Sequence, residues 1–318
     1  MKVIDIINNS ESTFFTFELL PPLKEGNSFA EIAETMDRLI SYNPAYINIT
    51  HHRTDVILKE RQDGLLEKHI IKKHASTTSV AAAIKYKYDV EVVPHLVCGG
   101  FNCNEIEDIL IDLSFLDIKN MLVLRGDPVK GEKKFTAEKN GYSNAIELIH
   151  QVKNMNEGKY LDAEMENVTP TDFCFGVAGY PEKHSESPNI DIDLQHLKAK
   201  VDAGAEYIVT QMFFDNKKYF DFVASCRKIG ITVPIIPGLK PLATSKHLAI
   251  LPQSFHIDLP IDLITEVNKC SNLQDVRCVG VEWCIAQCNE LKKAGVPALH
   301  FYTMGKADNV EEIVKRVF

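Results

Sequence analysis

The sequence lacks several features that would assign it to common functional classes. It contains neither a G-x-G-x-x-G fingerprint nor a G-x-x-x-x-G-K-[ST] sequence, which argues against a Rossmann dinucleotide fold and a P-loop phosphate site. No apolar run approaches the roughly 20 residues that span a bilayer. The first residues, 1–11, lack the apolar stretch of a signal peptide. We therefore expect a cytoplasmic protein that is not inserted in a membrane.

Positive charge is not in excess either. The 318 residues include 44 Asp and Glu against 35 Lys and Arg, giving a formal net charge of −9 with both signs interspersed. This balance predicts no nucleic-acid partner. The 8 cysteines form no C-x-x-C pair, and Cys284 and Cys288 have no histidine or second pair at zinc spacing beside them. We therefore expect reduced thiols and no metal site.

The chain instead alternates short apolar segments with segments of helical periodicity. Eight such segments predict strands, each followed by a helix, and this pattern is typical of a single-domain (β/α)8 barrel, or TIM barrel, over residues 1–318. The competing architecture, a doubly wound sheet, would need about six strands and usually a glycine-rich first turn. The predicted strands are Thr13–Leu20, Ala45–Thr50, Val90–Val97, Met121–Leu124, Asp172–Tyr180, Tyr207–Phe214, Val233–Leu239 and Ala298–Thr303.

Two connections of this predicted barrel are long. A helix from about Val56 to His74 is predicted between the second and third strands. The polar and acidic segment Asn156–Thr171 is interpreted as an insertion before the fifth strand.

The stretch Leu124-Arg125-Gly126-Asp127-Pro128 directs the search for a functional site. Gly126 permits a turn and Pro128 ends the strand, so Arg125 and Asp127 follow the carboxyl end of a buried strand, where ligands bind in α/β folds. The alternative interpretation is a turn with a surface ion pair. Repetition favours the site, because polar residues end nearly every strand. They are Glu18, Thr50, His95, Arg125, Asp127, Tyr180, Gln211, Lys240 and Tyr302.

In the predicted barrel these residues lie together at the carboxyl ends of the strands, which we call the mouth. Their types suit a large, flat, partly anionic ligand. Aromatic side chains can stack on a ring system, and Arg125, Lys200 and His184 can meet phosphates. Glu18 lies among apolar residues, where burial would raise its pKa and make it an acid; the alternative is a glutamate that faces solvent. His51 is interpreted as a polar loop residue at the mouth that touches a phosphate, and His95 as structural.

Eight motifs, in the same order along the chain from about residue 13 to 310, resemble the methylenetetrahydrofolate reductase family. The resemblance implies a barrel that binds FAD and reduces 5,10-methylenetetrahydrofolate to 5-methyltetrahydrofolate for methionine synthesis. It implies ping-pong hydride transfer from NADH or NADPH and a homo-oligomer. The motifs are Phe17–Pro22, Pro94–Leu96, Leu124–Pro128, Tyr180–His184, Lys200–Ala205, Thr210–Asp215, Ile236–Gly238 and His300–Thr303.

The resemblance also implies roles for individual residues. Glu18 matches the general acid that protonates folate N10, and Asp127 matches the aspartate between flavin and pterin; both are expected to be catalytic. The expected FAD contacts are Thr50, His51, His95, Arg125, Gly126, Asp127, Tyr142, Ser143, Tyr180, His184, Asp193 and Lys200. The expected substrate contacts are Glu18, Asp127, Gln211, Tyr302 and Lys306.

The chain departs from the usual family pattern at several positions. Gly305-Lys306 replaces Asn-Arg, which keeps a charge but loses the two-pronged grip of arginine, and His247 stands where a glutamine often contacts substrate. No regulatory domain is expected after Phe318, as in short bacterial-type members. Two alternatives remain: a folate-dependent methyltransferase barrel that needs no FAD, and a non-catalytic barrel that binds folate or flavin.

Overall fold

The computed structural model describes residues 1–24, 28–52, 55–129, 131–132, 134–305 and 307–318. The strands of the described residues are β1 (Phe14–Leu19), β2 (Ile47–Ile49), β3 (Asp55–Glu60), β4 (Leu66–Ile71), β5 (Val92–Val97), β6 (Asn120–Leu124), β7 (Cys174–Gly179), β8 (Tyr207–Met212), β9 (Ile235–Leu239) and β10 (Ala298–Tyr302). Eight of them are parallel and close into a barrel in the order β1-β10-β9-β8-β7-β6-β5-β2, which confirms the predicted (β/α)8 fold.

Helices surround the barrel, and one of them, at the amino terminus, packs against the end of the strands. They are α1 (Val3–Asn9), α2 (Ser28–Leu39), α3 (Thr77–Tyr88), α4 (Cys103–Phe115), α5 (Ala145–Asn156), α6 (Ile190–Asp202), α7 (Asn216–Lys228), α8 (His247–Phe255), α9 (Ile261–Lys269), α10 (Leu273–Lys293) and α11 (Asp308–Val317). Because the strands are covered on both faces, β2 and β9 are buried at every residue. This is why the strands appear in the sequence as continuous apolar runs.

The amino-terminal helix α1, for which the sequence predicted no element, contacts the barrel interior. Val3 and Ile7 are buried with lumen residues such as Tyr207 and Ile236. The backbone N–H of Val3 donates to Asn120 Oδ1 at 2.7 Å, and Asn120 Nδ2 donates to the carbonyl of Met1 at 2.9 Å. Asn120 begins β6, so α1 packs at the amino-terminal end of the strands and leaves the opposite end for a site.

The predicted helix from Val56 to His74 is wrong. The segment forms an antiparallel hairpin, with β3 and β4 paired from Asp55↔Ile71 to Glu60↔Leu66. Its turn contains Asp63-Gly64, and Gly64 adopts φ +77°, a conformation that favours glycine. Asp-Gly between two segments rich in apolar residues is a hairpin signal, and it outweighed the helical periodicity here.

The wall between β8 and β10 depends on Gly238 in β9. Tyr302 of β10 lies across this glycine and donates its hydroxyl hydrogen to the Thr210 carbonyl at 2.6 Å. A Cβ atom on Gly238 would lie 2.2 Å from the Thr210 carbonyl oxygen and 2.6 Å from Tyr302 Cε2. Because the nearest atom belongs to the backbone, the clash cannot be relieved by a side-chain rotation alone.

We expect Gly238→Ala to lower the free energy of unfolding by about 3 kcal/mol, since overpacking in a well-packed interior has costs of this order. The control is Gly295→Ala, where φ is +76° and no atom lies within 4 Å of the added Cβ. That change should cost about 1 kcal/mol through backbone strain alone. Urea unfolding of both variants measures the difference, and an equal loss in the two would contradict the packing argument.

Candidate active site at the barrel mouth

A cavity of about 1050 Å³ opens at the carboxyl ends of the barrel strands. Most of the site residues predicted from the sequence converge on it. Those that line it are Glu18, Thr50, His51, His95, Arg125, Gly126, Asp127, Tyr180, His184, Asp193, Lys200, Gln211 and Tyr302. Strand register explains the convergence, because parallel pairing places residues such as Glu18 and Tyr302 side by side at the same height.

Glu18 is the most deeply buried carboxylate of this cavity, with 7% of its surface exposed. Burial raises its pKa from an ordinary 4.5 to about 8, and the positive charge of Lys240 opposes part of this increase. The Thr303 hydroxyl donates to the Glu18 carbonyl at 2.7 Å and fixes the strand end. A carboxyl with this pKa holds its proton at neutral pH.

Two neutral histidines, His95 and His300, line the cavity. His95 Nε2 and His300 Nδ1 are buried, and neither has a hydrogen-bond partner in the described part of the chain. Burial lowers the pKa of each imidazole to about 3, so both rings are neutral. His300 was not among the predicted site residues, although its place between Ala298 and Tyr302 gives it the parity of a lumen-facing residue.

The loop after β6 supplies a cation at the rim of the cavity. Arg125 makes two hydrogen bonds to the Glu186 carboxylate, at 2.5 and 2.8 Å, and its guanidinium lies 5.1 Å from the centroid of the Phe135 ring. Gly126 follows with φ +85°, which explains the glycine in this turn. Asp127 is exposed and lines the same cavity. An anionic ligand group that binds Arg125 would replace the Glu186 carboxylate as its partner.

A second cluster of polar groups joins the β7 loop to α6. Asp193 accepts hydrogen bonds from the Ser187 hydroxyl at 2.7 Å and the His184 backbone N–H at 3.1 Å. Lys200 donates to the Ala178 carbonyl at 2.9 Å, and burial lowers its pKa to about 8. The His184 ring packs edge-on against Tyr180 with the centroids 4.7 Å apart. These contacts hold a carboxylate, a cation and a ring in fixed positions along one side of the cavity.

The structure does not bring all predicted residues to the cavity. Tyr142 lines a separate, smaller cavity of about 270 Å³ between α4, α5 and the segment after α5. Ser143 lies beside it in sequence, and its backbone N–H donates to Glu147 Oε2 at 2.7 Å. His247 does not line the large cavity, and its Nδ1 accepts from the Ala243 N–H at 3.2 Å. Lys306 lies outside the described residues.

No three His, Cys, Asp or Glu side chains of the described residues are grouped to hold a metal ion. None of the helices within the described ranges combines the length and apolar character needed to cross a membrane.

The sequence profile of a family described as methylenetetrahydrofolate reductase matches residues 2–317. The chain belongs to this family.

Among curated members of the methylenetetrahydrofolate reductase family, methylenetetrahydrofolate reductase (NADH) 1 of Arabidopsis thaliana is 31% identical over 317 residues, covering 96% of this chain and 48% of that protein. A probable methylenetetrahydrofolate reductase (NADPH) of Caenorhabditis elegans is 28% identical, and the match covers 98% of this chain and 43% of that protein. The chain thus spans about half the length of these relatives. The 5,10-methylenetetrahydrofolate reductase of Pectobacterium carotovorum is 28% identical, covering 92% of this chain and 86% of that protein.

A solved structure supports the fold assignment. A Clostridium thermocellum protein, described as binding two copies of 5-methyl-5,6,7,8-tetrahydrofolic acid, superimposes with a TM-score of 0.58 and covers 98% of both chains. Its sequence identity is 17%, so the likeness concerns the fold alone.

The buried carboxyl of Glu18 predicts a pH dependence of stability in this family member. Its pKa is about 8 in the folded chain and near 4.5 when exposed, so the folded state binds one more proton between these values. The Glu18 contribution to stability therefore falls as pH rises through this window. Glu18→Gln cannot ionise, and we expect its stability relative to the parent to increase by roughly 2–4 kcal/mol from pH 5 to pH 8.

Urea unfolding across this pH range measures the difference. The matched control is Glu164→Gln, a change at an exposed loop carboxylate, which should leave the pH profile unaltered. Parallel profiles for Glu18→Gln and the parent would contradict a buried, protonated Glu18.

Proposed function

We propose that this chain reduces 5,10-methylenetetrahydrofolate to 5-methyltetrahydrofolate, with FAD as cofactor and NADH or NADPH as the reductant. The observation that carries the proposal is a buried, protonated Glu18 on the same cavity as Asp127, in a chain of the methylenetetrahydrofolate reductase family. We extend the proposal to a cytoplasmic homo-oligomer whose product supplies methionine synthesis, as the sequence resemblance implies.

The cavity volume of about 1050 Å³ and the chemical groups that line it support FAD as the cofactor. His95 Nε2 and His300 Nδ1 are buried polar atoms without partners among the described residues, and a polar ring edge would satisfy them. Arg125 and Lys200 offer positive charge to a pyrophosphate, while Asp193 offers acceptors to hydroxyl groups. The residues proposed to hold FAD are Thr50, His51, His95, Arg125, Gly126, Asp127, Tyr180, His184, Asp193 and Lys200.

When bound, FAD would supply the hydride acceptor for the nicotinamide and the hydride donor for the folate. A single wide cavity supports a ping-pong order, in which the two substrates occupy one place in turn. One relative is named for NADH and another for NADPH. The rate of flavin reduction by each of the two cofactors measures which one this chain prefers.

The chain's own residues would prepare the folate for reduction. Glu18 holds a proton at its carboxyl and would donate it to folate N10, which opens the five-membered ring to a species that accepts hydride. Gln211 and Tyr302 line the cavity and would contact the pterin, and Asp127 would bind it from the rim. The Gln211 side chain is oriented by its Oε1, which accepts from the Met212 N–H at 2.9 Å and leaves the amide N–H groups for a ligand.

FAD binding is tested by Lys200→Met. This change removes a half-buried cation from the cavity wall, and loss of one hydrogen bond to a charged group should weaken FAD binding by about 10- to 100-fold. The control is Lys198→Met on the same helix, where the lysine pairs with Asp202 and does not line the cavity. Titration of FAD by fluorescence quenching measures both. A parent protein that stays colourless and takes up no FAD would favour the methyltransferase alternative.

The role of Glu18 is tested by anaerobic stopped-flow measurement of the two half-reactions. Glu18→Gln should still allow NADH to bleach the flavin absorbance at close to the parent rate, but reoxidation by methylenetetrahydrofolate should slow by about 100-fold or more. The control is Glu182→Gln. Burial raises the pKa of Glu182 to about 7, yet this carboxyl does not line the cavity, so both half-reactions should persist.

If Glu18→Gln reoxidised at the parent rate, Glu18 would not be the acid. If the parent bound folate and flavin without turnover, the non-catalytic barrel would be the correct alternative.

A further inference from the structure

Lys240 is a buried cation that the proposed reaction does not use. It follows β9 directly, and only 6% of its surface is exposed. Among the residues that the structure describes, none makes a hydrogen bond or ion pair with its ammonium group. It also does not line the cavity, so a direct ligand contact does not explain it. A buried lysine without such partners is costly and calls for a physical reason.

Strand register places Lys240 in the same layer as the proposed acid. Phe301 of β10 pairs with Leu239 of β9, so the next residues, Tyr302 and Lys240, continue this register. Tyr302 in turn pairs with Glu18 of β1. Lys240, Tyr302 and Glu18 therefore lie at one height on three adjacent strands, with the parity of side chains that face the barrel interior.

The charges around Lys240 come from few groups. Glu18 interacts with it from β1, Cys284 from the buried face of α10, and His247 from the start of α8. Burial lowers the pKa of His247 and the Lys240 charge lowers it further, while burial raises the pKa of Tyr302. Glu18 is thus the acid beside Lys240, and its carboxyl becomes negatively charged when it gives up its proton.

We propose that Lys240 is a positioning residue for the acid: its positive charge stabilises the carboxylate that Glu18 becomes after it gives its proton to the substrate. The proposal rests on the proposed function for its role in turnover. The proton passes from the Glu18 carboxyl to the substrate nitrogen, and the buried carboxylate remains beside the lysine. A proton taken up from the bulk solvent later restores the carboxyl. Without the lysine, an isolated carboxylate would remain in a desolvated layer, which disfavours proton release.

The pKa values agree with this arrangement. Burial lowers the pKa of Lys240 to about 8, and the Glu18 carboxylate opposes that decrease. The Lys240 charge in turn lowers the pKa of Glu18 against the larger effect of burial. Each group therefore favours the charged form of the other, as a coupled pair requires.

The direct test is a ¹³C NMR titration of the Glu18 carboxyl in the purified flavoprotein, assigned by its loss in Glu18→Gln. Lys240→Met removes the charge but keeps most of the chain length. We expect it to raise the Glu18 pKa by roughly one pH unit or more, whereas Lys240→Arg should stay near the parent. The control is Lys246→Met, an exposed lysine of the same segment. An unchanged Glu18 pKa in Lys240→Met would overturn the inference.

Coupling is reciprocal, so a second variant gives an independent test if Lys240→Met does not fold. Glu18→Gln should lower the Lys240 pKa, read from the ¹³Cε resonance of labelled lysine and assigned by Lys240→Arg. A Lys240 pKa that is equal in Glu18→Gln and the parent would also overturn the inference.

Kinetics separate this inference from the proposed function. In Lys240→Met, reoxidation by methylenetetrahydrofolate should slow by about tenfold, while flavin bleaching by NADH stays unchanged. In the pH profile of the reoxidation rate, the alkaline limb should move to higher pH. If the parent shows no such reaction, the proposed function fails, and the NMR titrations still decide the electrostatic link. If the parent reacts but the alkaline limb of Lys240→Met does not move, the positioning role fails alone.

Discussion

Closure of the barrel between its first and last strands is the constraint on which the site depends. β1 pairs with β10 over five residue pairs, from Phe14↔Ala298 to Glu18↔Tyr302, although the two strands lie at opposite ends of the sequence. Threonine hydroxyls reinforce this seam: Thr13 donates to the Val296 carbonyl at 2.7 Å, and Thr303 donates to the Glu18 carbonyl at 2.7 Å. A shift of one residue would reverse the side-chain parity and remove Glu18 from the mouth.

The mouth concentrates polar groups that are unfavourable in a folded chain. Glu18, Lys200 and Lys240 have pKa values shifted by burial toward their neutral forms, and His95 and His300 have buried ring nitrogens without partners in the described ranges. Each of these groups costs stability that packing elsewhere must offset. Such a concentration at one end of a barrel is typical of a functional site, where stability is exchanged for reactive groups.

Much of the barrel was predictable because parallel strands covered on both faces leave uninterrupted apolar runs in the sequence. The polar residues that end those runs were predictable for the same reason, and thirteen of the predicted site residues, from Glu18 to Tyr302, line one cavity. The hairpin of β3 and β4 was missed because its apolar residues also fit a helical period. His300 was missed because it stands inside an apolar strand. Tyr142, which the family resemblance offers as an FAD contact, lines a separate cavity.

The position of α1 restricts how ligands can enter and leave the barrel. Val3 and Ile7 pack into the lumen cluster from the amino-terminal end of the strands, so the barrel interior is filled beneath the mouth. Within the described residues, the cavity that contains Glu18 is therefore reached from the carboxyl ends of the strands. If two ligands bind in this cavity in turn, the rate at which the first dissociates limits the rate at which the second can bind.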